Sequence, residues 1–280
     1  MKWQNSRRSD NVIDNRKKTS KIGIIGGIVA TIIGFVSGIF IYGPKLPNYI
    51  TSNIDDINQI QAVTYNYEEH LEFIRTMLGI TEDKWAEIFK SKKMKWTTPK
   101  LILFTDKTKS GCGDADSNIG PFYCSADYTV YLDLDFFKLM EKNLKIPGDA
   151  AQAYVIFHEV GHHVQTITGI LPRIYSKMAY INEIEANKLS TRLELQADCY
   201  AGIIFNKSKS VLEPGDIAET INAAARIGDD WLQSRSGTVM PDTFTHGTSE
   251  QRAGWVLYGY KHGNLEDCDT FTQTDNIIKI

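Results

Sequence analysis

Cysteine is scarce in this chain, and no two cysteines are spaced as CxxC. Only four occur in 280 residues. The missing CxxC pair argues against a cysteine-based structural zinc site. An even count fits two disulfides in an oxidising compartment. Three pairings are open. The favoured one joins Cys112 to Cys124 across a Gly-rich loop and Cys199 to Cys268, tying a long helix to the C-terminal region. No internal repeat is present, which excludes a repeat architecture. Excess charge of one sign is also lacking, since the net charge is −3.

That near-neutral balance hides an uneven distribution. Lys2, Arg7, Arg8, Arg16, Lys17, Lys18 and Lys21 face only Asp10 and Asp14 in the first 21 residues. The rest of the chain is acidic, with a net charge of about −8, which disfavours nucleic acid as a partner. Residues 22–42 then carry no charge at all. Such a run is long enough to cross a bilayer as a helix. The basic flank predicts a cytoplasmic N-terminus and an extracytoplasmic remainder. A cleaved signal peptide fits less well, because no A-x-A site follows. The expected organisation is a basic cytoplasmic tail over 1–21, a transmembrane helix over 22–42 and a linker over 43–53. An extracytoplasmic domain follows over 54–272, with a C-terminal tail over 273–280.

The strongest chemical signal is His158-Glu159-Val160-Gly161-His162. It lies in an apolar stretch from Ala150 to Ile167 that reads as a buried helix, stopped by Gly169 and Pro172. Residues four apart share a helix face, so His158 and His162 are candidate ligands of one metal ion. Glu159 is placed to act on a water molecule there. A catalytic zinc site takes three protein ligands. A second helix, from about Glu183 to Phe205 with Asn182 as its N-cap, carries Glu194 and Asp198 four apart among apolar residues. Glu194 is the candidate third ligand. Asp198 is the candidate acceptor of a ligand histidine's other ring N–H.

HEVGHH followed by ELQAD resembles the gluzincin pattern, HExxH plus ExxxD. More narrowly, the chain resembles the putative neutral zinc metallopeptidase family of bacterial membrane-anchored proteins. Besides the two helices, the resemblance rests on Met1-Lys-Trp-Gln, Ser9-Asp-Asn-Val, Gly111-Cys-Gly, Gly120-Pro-Phe-Tyr-Cys, Val130-Tyr-Leu-Asp-Leu, Ile227-Gly-Asp-Asp and Phe244-Thr-His-Gly-Thr-Ser-Glu-Gln-Arg. It implies a zincin-like peptidase binding one zinc ion. In the gluzincin manner, His246 would hydrogen-bond an oxyanion. Arg252 reads as a structural ion pair, and His163 should point away from the metal.

The remaining pattern predicts an α+β domain, mainly helical with a small sheet. Helices are expected over 54–78, stopped by Gly79, and from Thr81 to about Lys92. Strands are expected over 100–105, 122–124 and 129–134. A helix should run from Pro214 to about Gln233, and another from the capping box Thr248/Gln251 to Gly263. The region from Gly120 to Leu134 is the candidate sheet edge for a peptide substrate. The expected function is a membrane-anchored zinc endopeptidase with Glu159 as general base. The alternatives are a non-enzymatic extracytoplasmic binding protein with a structural zinc site, and a zinc hydrolase acting on a non-peptide amide.

Overall fold

A computed structural model describes residues 1–16 and 67–272. Strand β1 (Val12–Asp14) is followed by helix α1 (Tyr67–Ser91), then by β2 (Lys100–Phe104), β3 (Lys107–Ser110), β4 (Gly113–Asp116), β5 (Phe122–Cys124) and β6 (Thr129–Asp133). The helices α2 (Asp135–Asn143), α3 (Asp149–Ile167), α4 (Ile170–Met178), α5 (Glu183–Lys207), α6 (Asp216–Arg226), α7 (Asp229–Ser234) and α8 (Ser249–His262) complete it. The result is the expected mainly helical α+β unit. The transmembrane helix expected over 22–42, the linker over 43–53 and the tail over 273–280 lie outside the described residues. Among the described residues no helix is long and apolar enough to cross a membrane.

Four strands form a sheet in the order β1-β2-β6-β5, with β5 antiparallel on its rim. Strand β6 lies between β2 and β5, and all five of its residues are buried. It is therefore a core strand, and of the region from Gly120 to Leu134 only β5 is an edge. A separate hairpin, β3–β4, is not legible in the sequence, because its residues are mostly polar and only Ala115 is apolar. The main core gathers Trp85, Tyr154, Phe157, Tyr200, Phe205 and Trp255 from α1, α3, α5 and α8. Burying each such side chain contributes about 1.5–3 kcal/mol or more.

The first sixteen residues are folded into this unit, which corrects their reading as a separate tail. Val12 to Asp14 pair in parallel with Leu101 to Leu103. Trp3 packs edge-on against Phe73 of α1, with ring centroids 5.5 Å apart. Glu82, buried in α1, accepts from Arg7 at 2.6 Å and from Ser9 and Asn11 at 2.7 Å each. The α-ammonium of Met1 meets Asp149 at 2.9 Å, Glu213 at 3.0 Å and Asp216 at 3.5 Å. Counting positive charge overlooked two things. Arg7, Arg8 and Arg16 have intramolecular acidic partners, and Trp3 and Val12 are apolar groups that burial stabilises.

Local helix signals were mostly reliable where capping decides them. Asn182 caps α5 by accepting from Glu185 N–H, and Thr248 and Gln251 form a reciprocal capping box on α8. Gly169 stops α3 in a left-handed conformation. Pro172, however, sits in the first turn of α4, where its missing N–H is harmless. Gly79 does not end a helix, because α1 runs through it and through Thr81. The glycine is there for space: a Cβ would lie 2.6 Å from the Arg7 carbonyl oxygen. The helix expected over 214–233 is split into α6 and α7 at Gly228, where Ser249 N would be 2.3 Å from a Cβ.

Helices α5 and α8 approach through Gly202 and Gly259. A Cβ on Gly259 would lie 2.0 Å from the Cys199 carbonyl oxygen. Gly259→Ala should therefore force the helices apart and destabilise the fold by about 2–3 kcal/mol. Urea denaturation checks this; an unchanged midpoint would contradict the close packing. The disulfides follow the favoured pairing: Cys199–Cys268 ties α5 to the C-terminal region, and Cys112–Cys124 joins the β3–β4 turn to β5.

Candidate metal centre

Helix α3 presents His158 and His162 on one face, and α5 crosses it to bring Glu194 opposite. The crossing is close because Gly161 lies against Ala197; a Cβ there would sit 3.1 Å from Ala197 backbone atoms. His158 Nε2 is 3.1 Å from Glu194 Oε2, and His162 Nε2 is 3.4 Å from Glu194 Oε1. Donors about 2.1 Å from a tetrahedral ion stand about 3.4 Å from one another. The three side chains can thus hold a metal ion with little rearrangement. All three are almost wholly buried.

Each ring has its second nitrogen engaged. His158 Nδ1–H donates to Asp198 at 2.7 Å. His162 Nδ1–H donates to Gln165 Oε1 at 2.9 Å, and Gln165 is held in turn by the Leu193 carbonyl and Gln196. Both Nε2 atoms are thereby turned toward Glu194. His163 is elsewhere, as expected. It donates from Nε2 to the Thr97 carbonyl and accepts at Nδ1 from Tyr123. Burial lowers its pKa to about 4.

The electrostatics fit a site built for a cation. Burial opposes charge on His158, but Asp198 and Glu194 outweigh it and raise the imidazole to about 10. Burial likewise opposes charge on His162, and Glu194 raises it above the ordinary histidine value. Glu194 is held well below the usual carboxylate range, because His162 and His158 overcome its burial. Glu159 goes the other way: burial raises its pKa. Its Oε1 is buried with no hydrogen-bond partner among the described residues. A buried carboxylate oxygen beside three ligand groups fits a site that takes a metal ion and a polar partner of that oxygen.

Asp198 is a hub. It accepts from His158, from Tyr154 Oη at 2.6 Å, and from Arg252 Nε and Nη2 at 2.9 and 3.0 Å. Arg252 is thus an ion pair, buried under the ligand helix, and it also reaches the Ile227 carbonyl at 3.3 Å. His246 is half-buried; burial opposes its charge, but Asp229 and then Glu194 outweigh that and raise its pKa. Its Nδ1–H donates to Asp229 Oδ1 at 3.0 Å, while Asp229 Oδ2 accepts from the backbone N–H of Thr245, His246 and Gly247. One carboxylate therefore fixes both the loop and the ring.

Asp229, Gln165 and Tyr154 carried no site role in the sequence reading. Asp229 and Tyr154 reach the site through long-range contacts, whereas Gln165 lies one helical turn from His162. Asp229 stands 17 residues before His246, and no helical period links them. Strand β5, the sheet edge, packs next to α3 through Tyr123 and His163.

A family model described as "Putative neutral zinc metallopeptidase" matches residues 1–271. An Escherichia coli K12 protein, described as uncharacterized protein YpfJ, is 41% identical over 285 residues, which cover 97% of this chain and 99% of that protein. A Mycobacterium bovis protein, described as uncharacterized protein Mb2605, is 37% identical over 217 residues, 72% of each chain. No solved structure matches.

Proposed function

The chain belongs to the putative neutral zinc metallopeptidase family, and from that premise we propose that it is a zinc-dependent endopeptidase. The observation that carries the reading is the buried Glu159 carboxylate beside the converging His158, His162 and Glu194. A structural zinc site is closed by four protein ligands and has no use for such a base. That favours catalysis over the binding-protein alternative.

His158, His162 and Glu194 would hold one zinc ion, which supplies Lewis-acid activation of water and of the scissile carbonyl. Glu159 takes a proton from the attacking water and delivers it to the leaving amine, first as general base and then as general acid. Its raised pKa suits both roles. His246, charged more readily because of Asp229, donates a hydrogen bond to the oxyanion. Asp198 and Gln165 keep the ligand rings in one tautomer. A peptide would lie along the rim of β5 as an added strand.

Membrane attachment belongs to the same proposal. The uncharged run over 22–42 is its sequence support. The two disulfides support an extracytoplasmic domain. The test is a metal assay on the purified protein, followed by incubation with an unfolded protein substrate with and without chelator. Chelator-sensitive cleavage is expected. Stoichiometric zinc with no cleavage would favour the binding protein instead.

Zinc loading should also release protons. Against burial, Asp198 and Glu194 raise His158 to about 10, so its ring is charged at pH 7 in the metal-free protein, and, again against burial, Glu194 raises His162 above the ordinary histidine value. Coordination needs them neutral, so about one to two protons should leave. Affinity should accordingly fall as the pH falls. Titration calorimetry in two buffers of different ionisation enthalpy reads this directly, and a release of zero would contradict the assigned ligands.

A further inference from the structure

We propose that Tyr128 determines specificity, as an aromatic platform at the end of β5 that takes an aromatic or large aliphatic side chain of the peptide substrate. This rests on the zinc peptidase reading above and names the substrate class of that same site.

Tyr128 is unusual on two counts. It is 47% exposed, and its backbone is left-handed, with φ at 56°. A bulky residue adopts that conformation only where its surroundings impose it. Among the described residues, the other non-glycine positions with positive φ are Lys93, Asp106 and Lys145, all polar.

The surroundings do impose it. The Tyr128 carbonyl accepts from Lys100 N–H at 3.1 Å. The Asp127 carboxylate accepts from Gly111 N–H at 2.6 Å and from the Tyr131 hydroxyl at 2.8 Å. The Cys112–Cys124 disulfide closes the same corner. The turn is thus braced from β2, from β6 and from the β3–β4 turn, and it holds the tyrosine at a cost in stability. Asparagine or glycine would sit there with less strain. Core packing does not explain the choice of a tyrosine, because nearly half of the residue is exposed.

Its position does. The ring stands edge-on to the His163 imidazole, with centroids 5.8 Å apart, and His163 directly follows His162 of the metal centre. The same imidazole meets Tyr123 of β5 at 5.5 Å and Trp96 at 5.4 Å. Tyr128 also adjoins Thr129, which pairs with Cys124 at the end of β5. A peptide added along the rim of β5 would therefore run past the ring. Lys100 is exposed and basic, which disfavours a cationic side chain over the ring face. An aromatic or large apolar side chain is the occupant such a face favours.

The test uses the full-length, zinc-loaded chain carrying Glu159→Gln, so that peptides bind without being cut. Ser/Thr-rich peptides carry a single guest residue, Phe, Ala or Arg, and fluorescence anisotropy reads their affinities. The Phe peptide should bind about tenfold more tightly than the Ala peptide. Adding Tyr128→Asn should reduce that ratio to within about twofold, with a thermal midpoint unchanged or higher. Adding Tyr128→Phe should keep the ratio. A ring that is merely structural would lower the midpoint in Tyr128→Asn and leave the ratio intact, which would overturn the proposal. Equal binding of the Phe and Ala peptides before Tyr128 is changed, or a preference for Arg, would overturn it too. Binding of no peptide at all would overturn the peptidase reading together with it.

Discussion

Glu159→Gln should bind zinc as the parent protein does and cleave an unfolded protein at least about 10³-fold more slowly. The substitution changes one atom in a side chain that is 1% exposed. It leaves His158, His162 and Glu194, and the Asp198 and Gln165 contacts that orient the rings, untouched. What it removes is the ability to take a proton and hand it on. Burial already raises the Glu159 pKa, so the ionised form is costly in the native state. A neutral amide avoids that cost, and the thermal midpoint should be equal or higher. Metal analysis, calorimetry and a cleavage assay on one preparation separate these effects. Cleavage at the parental rate would remove Glu159 from the mechanism. Loss of zinc would mean instead that the carboxylate helps to hold the ion.

The site was legible in the sequence where its chemistry has a period. His158, Glu159 and His162 are fixed by helical spacing, and Glu194 with Asp198 repeats that spacing on a second apolar helix. The structure brings these five side chains together. Cap chemistry placed α5 and α8 for the same reason: a cap is a contact between residues three apart. Asp229 and Tyr154 were invisible because their partners come from distant parts of the chain, whereas Gln165 stands one helical turn from His162 and helical spacing could have found it. Gly79 and Gly228 misled in a related way. Each looks like a local stop or a neutral helix position, and each is required by backbone arriving from elsewhere, Arg7 in one case and Ser249 in the other. Residues 1–16 show the limit of charge counting. The same arginines that read as a cytoplasmic anchor are ion-paired to α1 and to Asp14. Net charge describes a solvated segment well and a docked one poorly.

Arg252→Leu should be the most destabilising single change at the centre. The guanidinium, 4% exposed, makes two hydrogen bonds to an Asp198 carboxylate that is fully buried. Removing it strands that charge with only His158 and Tyr154, a loss of about 3–5 kcal/mol and, for a domain of this size, about 10 °C in thermal midpoint. Zinc affinity should fall about 10–100-fold as well, because Asp198 is what fixes His158. Arg252→Lys should rescue little, since an ammonium cannot reproduce the paired donors at 2.9 and 3.0 Å. The informative partner is Asp198→Asn. If the cost is an uncompensated buried charge, the double variant Arg252→Leu with Asp198→Asn should be more stable than Arg252→Leu alone. If Arg252 acts mainly by holding the loop at Ile227 and His246, neutralising Asp198 should recover nothing. The sign of that difference, read from denaturation midpoints, decides whether the pair serves the metal helix or the loop.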